Sequence, residues 1–297
     1  MALKKKSVRV TRMSPGMAIL LAVLILYSCV LILLLVWAFF TSLKYQEEFR
    51  LNILFFPNPW RWDNYSFVFK MFFVPVQTDS GTLYVGMGWM FVYGFLYAFG
   101  CALTGTFVPC LTAYLCAKFP YKLSRIIYLT VIVAMILPIV GSLPSEIQMA
   151  KRFGLYDNIW GLWIMKAHFL GMYYLVFYGM FKGMPSAYSE AAKIDGAGNF
   201  SIFFRIILPL SKNTFLTVML INFIAFWNDY QTPLVYLPSW PTVAYGVFYM
   251  STTFINSLSS VPMRMTSAML LLIPILTVFL IFHKRLIGNL TMGGIKG

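Results

Sequence analysis

Charge is what this chain has least of. Asp, Glu, Lys and Arg together make up 11% of its 297 residues, where a soluble domain carries about a quarter. So poor a supply of charge excludes an ordinary water-soluble globule, because the 60% of residues that are apolar could not all be hidden inside one body. Acids are scarcer still, with nine Asp and Glu against 23 Lys and Arg, a net charge of +14. That excess does not read as nucleic-acid binding. The basic residues fall in short connectors between apolar runs and form no long basic face with interleaved aromatics.

Reactive groups are equally sparse. Cys29, Cys101, Cys110 and Cys116 lie inside apolar runs with no Cys-x-x-Cys pair, so they read as small apolar fillers rather than a disulfide or metal framework. Leu26-Tyr27-Ser28-Cys29 makes a poor lipoprotein cleavage site, because Tyr27 is bulky and the run stays apolar beyond it. His168 and His283 stand alone and offer no triad or metal geometry. A phosphate-binding loop is missing too: Gly100 and Gly105 have its spacing, but Thr106-Phe107 stands where Lys-Ser/Thr would hold phosphate and magnesium. No catalytic residue, metal or cofactor is therefore assigned to this chain. The two glycines are expected to let helices approach closely.

What is present instead is long apolar runs. Residues 17–40 hold 24 positions without a charge, enough to cross about 30 Å of hydrocarbon at 1.5 Å per residue. Further runs follow at about 89–117, 126–145, 159–181, 214–236 and 265–283. Backbone in lipid must close its hydrogen bonds within each segment, so the runs predict an all-α membrane protein of six transmembrane helices. The connectors alternate in charge: 1–16, 118–125, 182–212 and 284–297 carry 15 Lys or Arg, while 43–88, 146–158 and 237–264 carry 7, with six of the acids. The positive-inside rule then puts both termini in the cytoplasm. Of the Lys and Arg, only Lys166 stands inside a run, the fourth, and leaves the start of that helix open. The organisation is a basic cytoplasmic tail at 1–16, a membrane domain at 17–286 and a cytoplasmic tail at 287–297, with no internal repeat. In the first outer connector Pro57-Asn58-Pro59-Trp60-Arg61-Trp62 cannot form a helix interior and is expected to lie along the outer surface.

The connector at about 185–212 is the richest in pattern. It predicts two short helices joined at glycine, the first started by Pro185 and Ser186 and ended by Asp195-Gly196. In the second, Phe200, Phe203, Phe204, Ile207 and Leu208 have the spacing of one apolar face, and Pro209 lets the next span begin at a new angle. Ala191 and Ala192 leave room for another surface to approach, and Glu190 adds a charged anchor. Such a segment suits a groove on a partner. Its phenylalanines would equally suit a helix resting in the membrane interface.

Glu190-Ala191-Ala192, three residues, Gly196, nine residues, Ile206, one residue and Leu208-Pro209 together resemble the EAA loop of bacterial ABC importer permeases. Trp227-Asn228-Asp229-Tyr230, Leu272-Ile273-Pro274-Ile275-Leu276 and the tail Gly293-Gly294-Ile295-Lys296-Gly297 extend the likeness to carbohydrate permeases of the MalG type. The resemblance implies the transmembrane domain of a type I ABC importer for a sugar or oligosaccharide, in the bacterial cytoplasmic membrane. It implies that Glu190, Ala191, Ala192, Asp195, Gly196, Ile206, Leu208 and Pro209 contact an ATPase, with a second contact through Gly294, Lys296 and Gly297. The implied partners are a second permease, an ATPase dimer that holds ATP and Mg²⁺, an extracytoplasmic solute-binding protein and lipid. Another cargo (a peptide, an amino acid, a phosphorylated sugar) or a secondary transporter are the alternatives.

In the fifth run Asn222 and Asp229 are seven residues apart, nearly on one helix face. A carboxylate within a span costs about 3 kcal/mol unless it meets water or a partner. A translocation pathway lined by Asn222, Trp227, Asn228 and Asp229 would account for it. So would a structural anchor, with Asp229 bonded to neighbouring backbone and Trp227 and Tyr230 packing rather than stacking on a sugar.

Overall fold

The computed structural model describes residues 14–78, 81–119, 121–137 and 140–290, the last with backbone only at 256, 257 and 283–290. Most of the basic tail, and Gly294, Lys296 and Gly297, lie outside the described residues. Helix α1 (Pro15–Ser42) starts two residues before the expected span, because Ser14 Oγ accepts the Met17 N–H at 3.3 Å and Pro15 fits the first turn. It is exposed along nearly all its length and turns inward only at Thr41 and Ser42, where it meets the last helix. The connector at 43–88 folds into α2 (Gln46–Leu51), α3 (Asp63–Met71) and an antiparallel hairpin, β1 (Phe73–Thr78) with β2 (Gly81–Gly86), that pairs Phe73 with Gly86 and Val76 with Leu83. Val74, Val76 and Val85 point from the hairpin into the core. The hairpin is an addition to the expected helical class.

Three helices are unbroken and apolar enough to cross a membrane among the described residues: α1, α4 (Met87–Lys118), and a last helix whose qualifying part is Val261–Phe282. The other apolar stretches also fold as helix, but interrupted. The third gives α5 (Lys122–Ile136), 15 residues or about 22 Å, followed by amphipathic α6 (Leu143–Arg152). The fourth divides into α7 (Ile159–Lys166) and α8 (Met172–Gly183), with Gly171 between them at φ 139°. The connector at 185–212 holds α9 (Ala187–Ile194), α10 (Asn199–Ile202), a wide π turn at Phe203–Ile207, and α11 (Leu208–Leu210). The fifth stretch gives α12 (Lys212–Asn228) and α13 (Gln231–Tyr236), parted at Asp229-Tyr230. After α14 (Val243–Thr252), α15 (Val261–Leu290) closes the domain. The expected all-α membrane class stands, with some of its apolar stretches interrupted, since glycine and polar residues within apolar sequence stop a helix that hydropathy alone would continue.

Helix α4 is the centre against which α7, α8, α12 and α14 pack. Small residues make this possible. At Gly100 a Cβ would lie 1.8 Å from the indole of Trp163 on α7, and that indole is fixed by its own bond to the Leu96 carbonyl at 3.1 Å. At Gly105 the nearest atom to a Cβ would be the Lys166 carbonyl at 3.5 Å. Both glycines act as the sequence led one to expect.

At the end of α1 a polar knot ties it to α15. Asn64 Nδ2 donates to the carbonyls of Ser42 (2.8 Å) and Lys44 (3.0 Å), Thr266 Oγ1 donates to Ser42 O (2.9 Å), and the buried Lys44 ammonium donates to Asn52 O (2.7 Å). These bonds satisfy the backbone where α1 ends.

Replacing Gly100 by alanine should destabilise the fold by about 1 to 3 kcal/mol through overpacking against Trp163. Gly179→Ala, where a Cβ meets open space, should not. Thermal unfolding of the purified protein, followed by size exclusion, checks the contrast.

Candidate functional site

The connector at 185–212 is built as an anchored tip. Ala192, Ile202, Phe203 and Ile207 are buried in one cluster with Tyr114 and Cys116 of α4 and with Phe177 and Phe181 of α8. Lys118 Nζ donates to the Met184 carbonyl at 2.5 Å and holds the start of the connector to the end of α4. The α9 helix ends as expected at Asp195-Gly196: Gly196 takes φ 79°, its N–H bonds Lys193 O at 3.0 Å, and the Ala197 N–H bonds Ala192 O at 2.9 Å. An L side chain strains at such a φ.

The other face of the tip is open. Glu190, Ala191, Asp195 and Gly196 are exposed, Pro209 is exposed at the far end, and Ile206 and Leu208 are half-buried. Ile194 is 86% exposed and Phe200 82%, so two large apolar side chains flank the glycine turn largely uncovered by the described residues. The sequence pattern put Phe200, Phe203, Phe204, Ile207 and Leu208 on one face, and that is corrected. The π turn at Phe203–Ile207 adds a residue to one turn. Phe203 and Ile207 go inward, Phe204 stays partly exposed and stacks on Phe107 with centroids 6.2 Å apart, and Phe200 is released outward. Beyond Ser211 the axis bends by 77° into α12, the change of angle expected of Pro209.

The polar residues of the fifth stretch are placed differently from one another. Asn222 is buried and its Nδ2 donates to Thr106 Oγ1 at 3.0 Å on α4. Asp229 caps the break after α12: its carboxylate accepts the Tyr97 hydroxyl at 2.9 Å and the Thr232 N–H at 3.0 Å. The Trp227 ring is buried and its N–H donates to Leu271 O at 3.1 Å, whereas Asn228 is exposed and bonds back to Ile224 O at 2.9 Å. Tyr230 stacks on Phe248 at 4.2 Å. The four therefore do not form one face toward a common space.

A small cleft of about 90 Å³ opens where α7 breaks from α8, lined by Gly105, Lys166, His168, Leu170, Tyr173 and Asn222 among others. Sequence reasoning marked Lys166 only as an obstacle to helix placement and set His168 aside. Among the described residues no group of three His, Cys, Asp or Glu could hold a metal.

A family model described as a binding-protein-dependent transport system inner membrane component matches residues 105–290. Over 296 residues the chain is 27% identical to an arabinooligosaccharides transport system permease protein, AraQ, of Bacillus subtilis, covering 96% of this chain and 99% of the relative. It is 24% identical over 276 residues to a diacetylchitobiose uptake system permease protein, NgcG, of Streptomyces coelicolor, covering 92% and 86%. The fold matches the crystal structure of a bacterial ABC transporter involved in the import of the acidic polysaccharide alginate, at a TM-score of 0.74 and 19% identity, over 94% of this chain and 99% of that one.

If Asp229 anchors the fold through Tyr97, Tyr97→Phe should cost about 1.5 to 3 kcal/mol, as for a hydrogen bond to a charged group. Asp229→Ala should cost at least as much, and the double variant little more than either alone. Additive losses in a double-mutant cycle of thermal unfolding would contradict the pairing.

Proposed function

The chain belongs to the family of binding-protein-dependent transport system inner membrane components, and from that premise we propose that it forms half of the pathway by which an ABC importer carries a sugar or oligosaccharide across the bacterial cytoplasmic membrane. It is a permease, not an enzyme. ATP and Mg²⁺ are held by a separate ATPase dimer, and this chain binds no cofactor. A second permease completes the pathway, and an extracytoplasmic solute-binding protein delivers the cargo. Both termini lie in the cytoplasm, as the basic connectors favour. The relatives named for sugar oligomers support the class of cargo.

One observation carries the coupling role of residues 190–209: Ile194 and Phe200 are exposed on either side of the Gly196 turn, on a tip whose other face is locked into α4 and α8. The ATPase takes Glu190, Ala191, Asp195 and Gly196 into a cleft, and its closure moves the tip as one body with the helices behind it. Ala192, Ile206, Leu208 and Pro209 serve from the inner side, by packing the tip and setting its angle. The tail residues Gly294, Lys296 and Gly297 supply a second contact with the same dimer.

Ile194→Asp and Phe200→Asp should each lower the amount of ATPase that copurifies by about tenfold or more, as expected when a large buried apolar side chain is lost from an interface, while the level of this chain in the membrane is unchanged. Undiminished copurification would sink the docking assignment. Gly196→Val, which forces a β-branched residue into a left-handed backbone at a cost of about 1 to 2 kcal/mol, should abolish ATP-dependent sugar uptake and leave the chain in the membrane. Normal uptake would overturn the coupling role.

A further inference from the structure

Behind the tip an apolar groove of about 580 Å³ runs between the end of α4, the start of α5 and the first residues of the Asn199–Leu210 arm. Leu111, Leu115 and Phe119 line it from α4 at helical spacing, Leu123 lines it from α5, and Phe200 and Phe203 from the arm. That is the space of about twenty waters at about 30 Å³ each, but the walls are mostly apolar and offer water little to bond. Leu115 is 49% exposed and Leu123 63%. The uncovered apolar surface continues along α5, where Leu123, Ile126, Leu129 and Val133 recur every three or four residues and all stand exposed.

The rim of this groove is basic. Lys118, Lys122 and Arg125 fall within residues 118–125, which contain no acid. Lys118 is engaged with the Met184 carbonyl, but Lys122 and Arg125 are exposed on either side of Leu123 and Ser124, both of which line the groove. Lys193, exposed on α9, brings its ammonium to 5.8 Å from the centroid of the Phe119 ring, which is part of the lining. The carbonyl end of α4 opposes these cations, but the Phe119 oxygen already accepts the Tyr121 N–H at 2.9 Å and the Ser124 hydroxyl at 2.7 Å. Glu190 and Asp195, the acids of the tip, do not line the groove. Helix α4 has 32 residues, about 48 Å against a hydrocarbon core of about 30 Å, so its ends emerge into the headgroup layers. An apolar slot at that level with cations at its Phe119 end has the polarity of a phospholipid, chain in the slot and phosphate among the cations.

We infer that this groove holds an acyl chain of an anionic phospholipid whose phosphate is met by Lys122, Arg125 and Lys193. From the importer reading the inference takes only sidedness: the connectors at 118–125 and 182–212 face the cytoplasm, so the lipid belongs to the inner leaflet. The chain covers Leu115 and Leu123, which no described residue covers fully, and wedges lipid between α5 and the arm. Phe200 forms the lip of the groove and keeps its outer face for a protein partner.

The test uses the assembled transporter in nanodiscs of equimolar phosphatidylglycerol and phosphatidylcholine, doped with one or the other lipid carrying a diazirine at mid-chain. After irradiation, label at residues 111–127 is measured by peptide mass spectrometry and compared with label at 24–33 of α1, an exposed stretch without charge. The ratio of phosphatidylglycerol to phosphatidylcholine label at 111–127, divided by the same ratio on α1, should be about five or more, as expected when cations at a membrane surface meet an anionic headgroup. Joint Lys122→Gln, Arg125→Gln and Lys193→Gln should bring it to near one. The charge-retaining set Lys122→Arg, Arg125→Lys and Lys193→Arg should keep it, which separates loss of charge from loss of fold. A ratio near one in the unaltered protein, a ratio indifferent to the three neutralisations, or no label at 111–127, as when a protein partner covers the groove, would each overturn the site. ATP-dependent uptake and ATPase copurification are read on the same preparations, so a transporter that couples normally without lipid preference refutes this inference alone.

Discussion

Close approach to α4 is the constraint on which the rest depends. In hydrocarbon a broken helix cannot turn its freed N–H and C=O groups to water, so every interruption must be covered by protein. The interrupted stretches of this domain lie against α4, and the small residues of α4 let them come near enough. Gly100 admits the Trp163 indole on α7; Gly105 admits the backbone that follows it at Lys166; Ala98 and Ala102 leave room for α12 and its neighbours. Were α4 lined with leucine, α7 and α12 would stand farther off and their breaks would face lipid.

Packing of that kind gathers the buried apolar residues into three clusters. The elements from the polar knot at Ser42 and Asn64 to the hairpin and α14 are built on hydrogen bonds and a core shared with α3 and α15. The 187–210 segment is built on aromatic rings, with Tyr114, Phe181 and Phe203 gathered behind its tip. A small cleft opens at the level of Lys166 and Asn222.

Sequence reading served best where local chemistry decides conformation. Asp195-Gly196 was legible as a helix stop because only glycine accepts φ 79° readily, and the bend at Ser211 was legible from Pro209. It failed where structure departs from the ideal period. Residues 167–171 contain no proline and little charge, so nothing in hydropathy marks the break between α7 and α8. The alternation of Val74 and Val76 does carry the period of a strand, yet it is too short to stand out beside the aromatic runs around it. The phenylalanine face was misjudged because a π turn changes the repeat without changing composition. Exposure of Ile194 and Phe200 depends on packing that no pattern contains, and so did not emerge until the tip was seen whole.

The 77° bend has a mechanical meaning beyond marking where one helix stops. From Asn199 to Leu210 the chain runs about 18 Å at 1.5 Å per residue, and it joins α12 nearly at a right angle. An arm so set turns a thrust across its end into torque about its base rather than compression along α12. A displacement of about 5 Å at its tip would tilt it by about 16° for an arm of that length. The same thrust on a straight continuation would slide α12 along its axis, dragging Asn222 and Asp229 from their bonds. The bend thus favours tilting of the arm together with the ends of α4 and α8 on which it is packed, over sliding of α12 along its axis.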